Sequence, residues 1–225
     1  MIMKKKLYIS IEGGDGSGKT TLIKNLMVEL TKNLQVLLTK EFGSEHNHLC
    51  QELRKIALSS TFETDEVAGQ ILFGAIIKQH MEKVIKPCLE DHHTDIILSD
   101  RGRDSNYAYG PAHGVNAKVI KKFFDLVYLD CPKPDLTIYL DVNPELAKAR
   151  RDSRPAEKFD NNGVDRVEQK GIDLQIKVRK NFLSLAKKEP KRIKVIKVTE
   201  EKKPEDIFAE ALNLVNKKMK EKRIL

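Results

Sequence analysis

The chain has 225 residues, with 41 lysines and arginines against 33 acidic residues and a formal charge of +8. Aliphatic residues are plentiful and no apolar run approaches a membrane span, which excludes a wholly disordered chain and predicts no membrane partner. The positive excess suits an anionic partner such as nucleotide phosphates, nucleic acid or a membrane surface, and suits a solvated lysine-rich face about as well.

The opening MIMKKKLYISIE carries three lysines, but its apolar run is too short for a signal peptide. Leu7–Ile11 reads as the first strand, and the glycine-rich stretch IEGGDGSGKTT follows it directly. Leu22, Ile23, Leu26, Met27 and Leu30 then recur at helical spacing. Gln35–Thr39 reads as the second strand. A helix runs from about Asp65 to Ile85 and should end before Pro87. Asp95–Ser99 is the third strand and Leu136–Leu140 the fourth. Asn143-Pro144 has the form of a helix start, with proline at the first helical position. A long helix from about Val167 to Lys188 precedes the fifth strand, Ile193–Val198. Near-continuous apolar strands alternating with helices predict a single α/β domain over residues 1–225, built on a mostly parallel, doubly wound sheet. Cys50, Cys88 and Cys131 are far apart and lack metal-ligand spacing. They read as reduced, mostly buried thiols of a cytoplasmic protein.

Gly13, Gly18, Lys19 and Thr20 match G-x-x-x-x-G-K-[ST] between a strand and a helix. Gly13, Gly14, Asp15, Gly16, Ser17 and Gly18 would let successive N–H groups turn toward phosphate oxygens, at the positive end of the following helix. Lys19 would reach the β- and γ-phosphates of a bound ATP, with Thr20 ligating Mg²⁺ and Thr21 beside it. Asp15 is unusual beside a triphosphate. It either faces solvent or accepts a hydrogen bond from an acceptor's sugar hydroxyl. Asp100, closing the third strand, is placed to hold Mg²⁺ through water, and Arg101 to meet a ligand at the same open end. Arg150, Arg151, Arg154 and Lys158 fall in a stretch broken by Pro155 and Asn161-Asn162-Gly163. That pattern predicts a basic lid over about residues 150–168.

Together these stretches make the chain resemble the thymidylate kinase family of nucleoside monophosphate kinases. IEGGDGSGKTT is similar to that family's phosphate loop, and TKEFG at 39–43 to its T-R-E-P-G-like stretch. ILFGAIIKQH at 71–80 resembles L-L-F-x-A-D-R-x-Q-H, and DRGRDSNYAY at 100–109 resembles D-R-Y-x-x-S-N/S-x-A-Y. PDLTIYLDVNPELAKAR, DRVEQK and VRKNFLSLAKKEPKRIKVI extend the likeness to nearly the whole chain. The resemblance implies a P-loop kinase fold with five parallel strands, a homodimer, and ATP- and Mg²⁺-dependent phosphorylation of a deoxynucleoside monophosphate, most of all dTMP to dTDP.

It also implies roles. Asp15 would hold the 3′-hydroxyl, Lys40 and Arg101 the acceptor phosphate, and Phe73 would stack on the base. Ser105, Asn106 and Tyr109 would line the same pocket. One of Arg150, Arg151 or Arg154 would act as the catalytic lid arginine, since Gly16 stands where some members carry an arginine inside the loop. Three departures stand out. Lys40 and Phe42 replace the arginine and proline of the second motif. Ile77 replaces an arginine that bonds the thymine carbonyl, one helical turn from Phe73 and on the face expected to meet the pocket. Gly110 replaces a residue, often glutamine, near sugar and base. The loss at Ile77 keeps open a kinase for another, possibly modified, deoxynucleotide or a nucleoside. A nucleotide-gated nucleic-acid-binding protein is the reading from another class, although no N-K-x-D motif or aromatic-rich basic surface accompanies the charge.

Overall fold

The structure is a computed structural model that describes residues 5–41, 47–59, 61, 63–153 and 171–224. Five parallel strands form one sheet in the order β2-β3-β1-β4-β5. They are β1 Leu7–Gly13, β2 Val36–Lys40, β3 Ile96–Asp100, β4 Leu136–Val142 and β5 Ile193–Val198. Every residue of β1 and β4 is buried, which explains why these segments read as near-continuous apolar runs. Leu7, Ile9 and Ile11 face one core with Leu22, Leu26, Ala211 and Val215. Those partners lie on helices α1 (Lys19–Leu30) and α9 (Pro204–Lys222). Tyr8 faces the opposite side, in a core with Ile77, Ile97, Phe124 and Tyr128.

On that second face lie α3 (Glu66–His80), α5 (Arg103–Ala112), α6 (Ala117–Val127) and α8 (Gly171–Lys188). Helix α2 (His48–Leu58) packs on α3. Pro87 does not stop the chain's helical course. A π-helical turn, Met81–Ile85, leads directly into α4 (Lys86–Glu90), and the wider turn carries the helical course past Pro87. Helix α7 (Pro144–Asp152) starts as expected, with Asn143 accepting from the Glu145 N–H. Arg150 and Arg151 therefore lie in the last turn of α7, at the start of the expected lid. Arg154, Lys158, the rest of the expected lid to residue 168 and the predicted start of the last long helix at Val167 lie outside the described residues, as does Phe42.

The parallel register brings the functional segments to one edge. Ile11 pairs with Asp100, and Lys40 pairs with Asp100 from the other side. The ends of β1, β2 and β3 thus meet where open parallel sheets bind ligands.

Candidate active site

The loop between β1 and α1 is shaped for an anion. Gly18 caps α1 in the left-handed conformation at φ 96°, and no acidic residue sits in the first turn to compete for its N–H groups. Gly16 is also left-handed at φ 84°, and a Cβ there would lie 2.2 Å from the Ala147 carbonyl oxygen on α7. A side chain at position 16 is excluded on both grounds, so this chain cannot place an arginine inside the loop. Lys19 Nζ donates to the carbonyls of Gly13 at 2.9 Å and Gly14 at 3.1 Å. Burial lowers its pKa to about 8. Thr20 and Thr21 are exposed at the mouth of the loop, whereas the Ser17 hydroxyl is enclosed without a partner.

Arg101 joins this loop to the rest of the site. Its backbone takes a left-handed φ of 66°, with its N–H bonded to the Ile11 carbonyl at 2.9 Å. Its guanidinium donates to the Gly13 carbonyl at 3.2 Å, to Tyr109 Oη at 3.3 Å and to Asp15 Oδ1 at 3.0 Å. It also lies 5.2 Å from the centre of the Tyr109 ring. Asp15 therefore faces a cation and not open solvent. Burial works to raise the Asp15 pKa, but Arg101, Lys19, Arg151 and Lys40 outweigh it and hold the carboxyl below its ordinary range. Arg101 from the end of β3 and Lys19 from the start of α1 both bond this loop, and the charges of Arg151 at the end of α7 and Lys40 at the end of β2 also act on Asp15.

The two described lid candidates part company. Arg150 turns its guanidinium to the Thr199 carbonyl at 3.1 Å, while Arg151 is the one whose charge reaches Asp15. Asp100 ends β3 with Oδ1 enclosed and unpartnered. Such an orphaned acceptor fits a hydrated cation beside phosphates, and the exposed Thr20 hydroxyl completes a donor set suited to Mg²⁺.

Three residues expected at the base pocket are placed differently. Ser105 is fully buried, and its hydroxyl bonds Glu12 Oε2 at 2.6 Å, so it is not free to meet a base. Ile77 lies inside the core against the aromatic cluster, beside the partly buried Phe73. Gly110 leaves room for Ile120, whose Cδ1 would be 2.6 Å from a Cβ there. Close approach of α6 to α5 thus accounts for the missing side chain. Asn106 donates through Nδ2 to Tyr128 Oη at 2.7 Å.

Sequence reasoning missed Glu12, which holds the site together. Its carboxyl accepts the N–H groups of Gly102 at 2.8 Å and Ser105 at 3.2 Å, besides the Ser105 hydroxyl. It thereby ties the end of β1 to the first turn of α5, next to Arg101. Burial pushes its pKa up to about 8. The available signal was an acid inside a strand whose other residues are apolar or small.

The comparisons agree with this geometry. The thymidylate kinase family model matches residues 11–209. A thymidylate kinase of Mycoplasma capricolum subsp. capricolum is 34% identical over 218 residues, spanning 96% of this chain and 97% of that protein. One from Protochlamydia amoebophila is 37% identical over 193 residues, spanning 84% of each chain. Among solved structures, a thymidylate kinase from Ehrlichia chaffeensis superposes with a TM-score of 0.71 at 26% identity, covering 94% of this chain and 99% of that one.

Proposed function

The chain belongs to the thymidylate kinase family, and from that premise we propose that it transfers the γ-phosphoryl group of ATP to dTMP, yielding dTDP and ADP. An oxygen of the dTMP phosphate forms a bond to the γ-phosphorus as the bond from that phosphorus to the β,γ-bridging oxygen breaks. The acceptor oxygen is already nucleophilic, so the protein's work is positioning and charge neutralisation. The observation that carries this reading is the pair of cations at the phosphate loop, with the Lys19 ammonium on the Gly13 and Gly14 carbonyls and the Arg101 guanidinium on the Gly13 carbonyl and Asp15. Two phosphate groups brought together need that much positive charge, and a sugar hydroxyl gives Asp15 a donor to hold.

In this scheme the loop amides and Lys19 hold the donor phosphates, and Lys40 and Arg101 hold the acceptor phosphate. Phe73 supports the base, with Asn106 and Tyr109 beside it. Arg151 closes on the transferring group, with Arg154 as the alternative outside the described residues. Thr20 and, through water, Asp100 would hold Mg²⁺, which when bound supplies further charge neutralisation of the donor phosphates. Residues 1–225 act as one P-loop domain. A homodimer is proposed through α2, α3 and α6, which are neighbours and each expose apolar side chains, among them Leu49, Ile56, Ile71 and Leu126. The three free cysteines support a cytoplasmic location. Among the described residues no helix is long and apolar enough to cross a membrane.

The test is ADP release from Mg²⁺–ATP on adding dTMP, with dTDP identified as the product. Dependence on dTMP supports the assignment. ADP release indifferent to every monophosphate would overturn it.

A further inference from the structure

Arg101 takes a backbone conformation that its side chain disfavours. Its φ of 66° is left-handed, and among the described non-glycine residues only Asp130 and Arg223 share that sign. Asp130 lies in the turn after α6, and Arg223 caps the end of α9. An L side chain in this region costs energy unless its surroundings enforce it. Around Arg101 they do so from three directions. Its N–H donates to the Ile11 carbonyl at 2.9 Å, and its own carbonyl accepts from Ser99 Oγ at 2.6 Å. The next N–H along the chain, that of Gly102, donates to Glu12 Oε1 at 2.8 Å.

Glu12 is fully buried on β1, so it meets no substrate itself. Its Oε1 also accepts the Ser105 N–H at 3.2 Å, and its Oε2 bonds the Ser105 hydroxyl at 2.6 Å. An ionised carboxyl accepts all three bonds. A protonated one still accepts both N–H groups at Oε1 while Oε2 donates to the hydroxyl, which serves as donor or acceptor. The clamp therefore holds in either state. Gly102 makes the reach possible, because a Cβ there would lie 2.9 Å from Ser10 Cβ. With its backbone fixed on both sides, Arg101 aims its guanidinium at the Gly13 carbonyl and Asp15.

We propose that Glu12 is a positioning residue that, together with Ser99, locks Arg101 in its left-handed conformation and so prepares the guanidinium to grip the phosphate of the acceptor. The inference rests on the reading of Arg101 as the group that holds the dTMP phosphate. Released from the clamp, residue 101 would relax toward negative φ, and its side chain would swing away from the loop. The loss falls on the acceptor. It spares the donor, whose phosphates are held by the loop amides and Lys19.

The experiment measures KM for dTMP and KM for ATP in the wild type, Glu12→Ala, Ser99→Ala and Glu12→Gln, with folding checked by circular dichroism. Glu12→Ala and Ser99→Ala should each raise KM for dTMP at least about tenfold, because a misplaced guanidinium forfeits its bonds to the phosphate. KM for ATP should stay within about twofold of the wild type. Glu12→Gln should recover most of the loss, since its oxygen can accept from Gly102 and its amide can donate to Ser105 Oγ. Should Glu12→Ala fail to fold, Ser99→Ala decides by the same two constants. Values for dTMP and ATP that rise together overturn the lock, as does an unchanged KM for dTMP in either alanine variant. A Glu12→Gln variant as impaired as Glu12→Ala also overturns it. A wild type that leaves dTMP untouched overturns the functional reading instead.

Discussion

Lys19 folds its ammonium onto the carbonyls of its own loop, a contact that phosphate oxygens would replace. Removing it should cost at least about 10²-fold in kcat/KM for dTMP, since a charge aimed at the reacting phosphates is lost. The thermal midpoint of Lys19→Ala should change little, because a buried ammonium is expensive to keep. A Lys19→Ala variant with near-normal turnover would show that the loop does not carry the donor. Glu12 makes a different prediction. Its carboxyl titrates near 4.5 when unperturbed and at about 8 in the fold. Between those values the folded chain keeps a proton that the unfolded chain has lost. This contribution to stability is therefore complete below about pH 4.5 and is lost as pH rises through about 8. Comparing thermal midpoints at about pH 5 and about pH 9, the wild type should lose more stability than Glu12→Gln. Equal slopes would refute the assignment. The loop was legible because its residues are contiguous. The partners of Glu12 were not, because Ser105 lies 93 positions away and no local pattern announces the pairing.

At the scale of elements, one buried ion pair ties helix α5 to the entry of β5. Arg192 grips Asp104 with two bonds of 2.7 Å, and Thr137 donates to the same carboxylate at 2.8 Å. Asp104 is 2% exposed, so Arg192→Ala would strand its charge and should destabilise the fold by about 3–5 kcal/mol. Urea unfolding measures this, and replacing both residues should cost less than Arg192→Ala alone. All five strands were visible in the sequence to within two residues; β1, β3 and β4 are buried along nearly their whole length and leave near-continuous apolar runs, while β2 and β5 showed through their clustered Val, Ile and Leu. The helix ends were less legible. Pro87 looked like a terminator but follows a π-helical turn that carries the helical course past it. Arg150 and Arg151 close α7, since the breakers lie further on, at Pro155 and beyond. Ile77 was expected to face the pocket from its spacing to Phe73, but helical spacing gives a shared face without saying what that face meets. The aromatic cluster claims it.

For the whole molecule, the exposed apolar residues of α2, α3 and α6 are the surface through which two copies would associate. On the proposed homodimer, the wild type should sediment as a dimer and the double variant Ile71→Glu and Leu126→Glu as a monomer. A wild type that is monomeric at all concentrations would remove that proposal. The sheet order, the loop and the converging charges all serve one claim, that two phosphates meet at the ends of β1, β2 and β3. The most direct test is steady-state transfer from Mg²⁺–ATP to dTMP, dUMP, dCMP, dGMP, dAMP and thymidine, compared by kcat/KM. The account predicts the highest value for dTMP and negligible transfer to thymidine, which brings no phosphate for Lys40 and Arg101. A preference for thymidine, or for a purine monophosphate over dTMP, would contradict it.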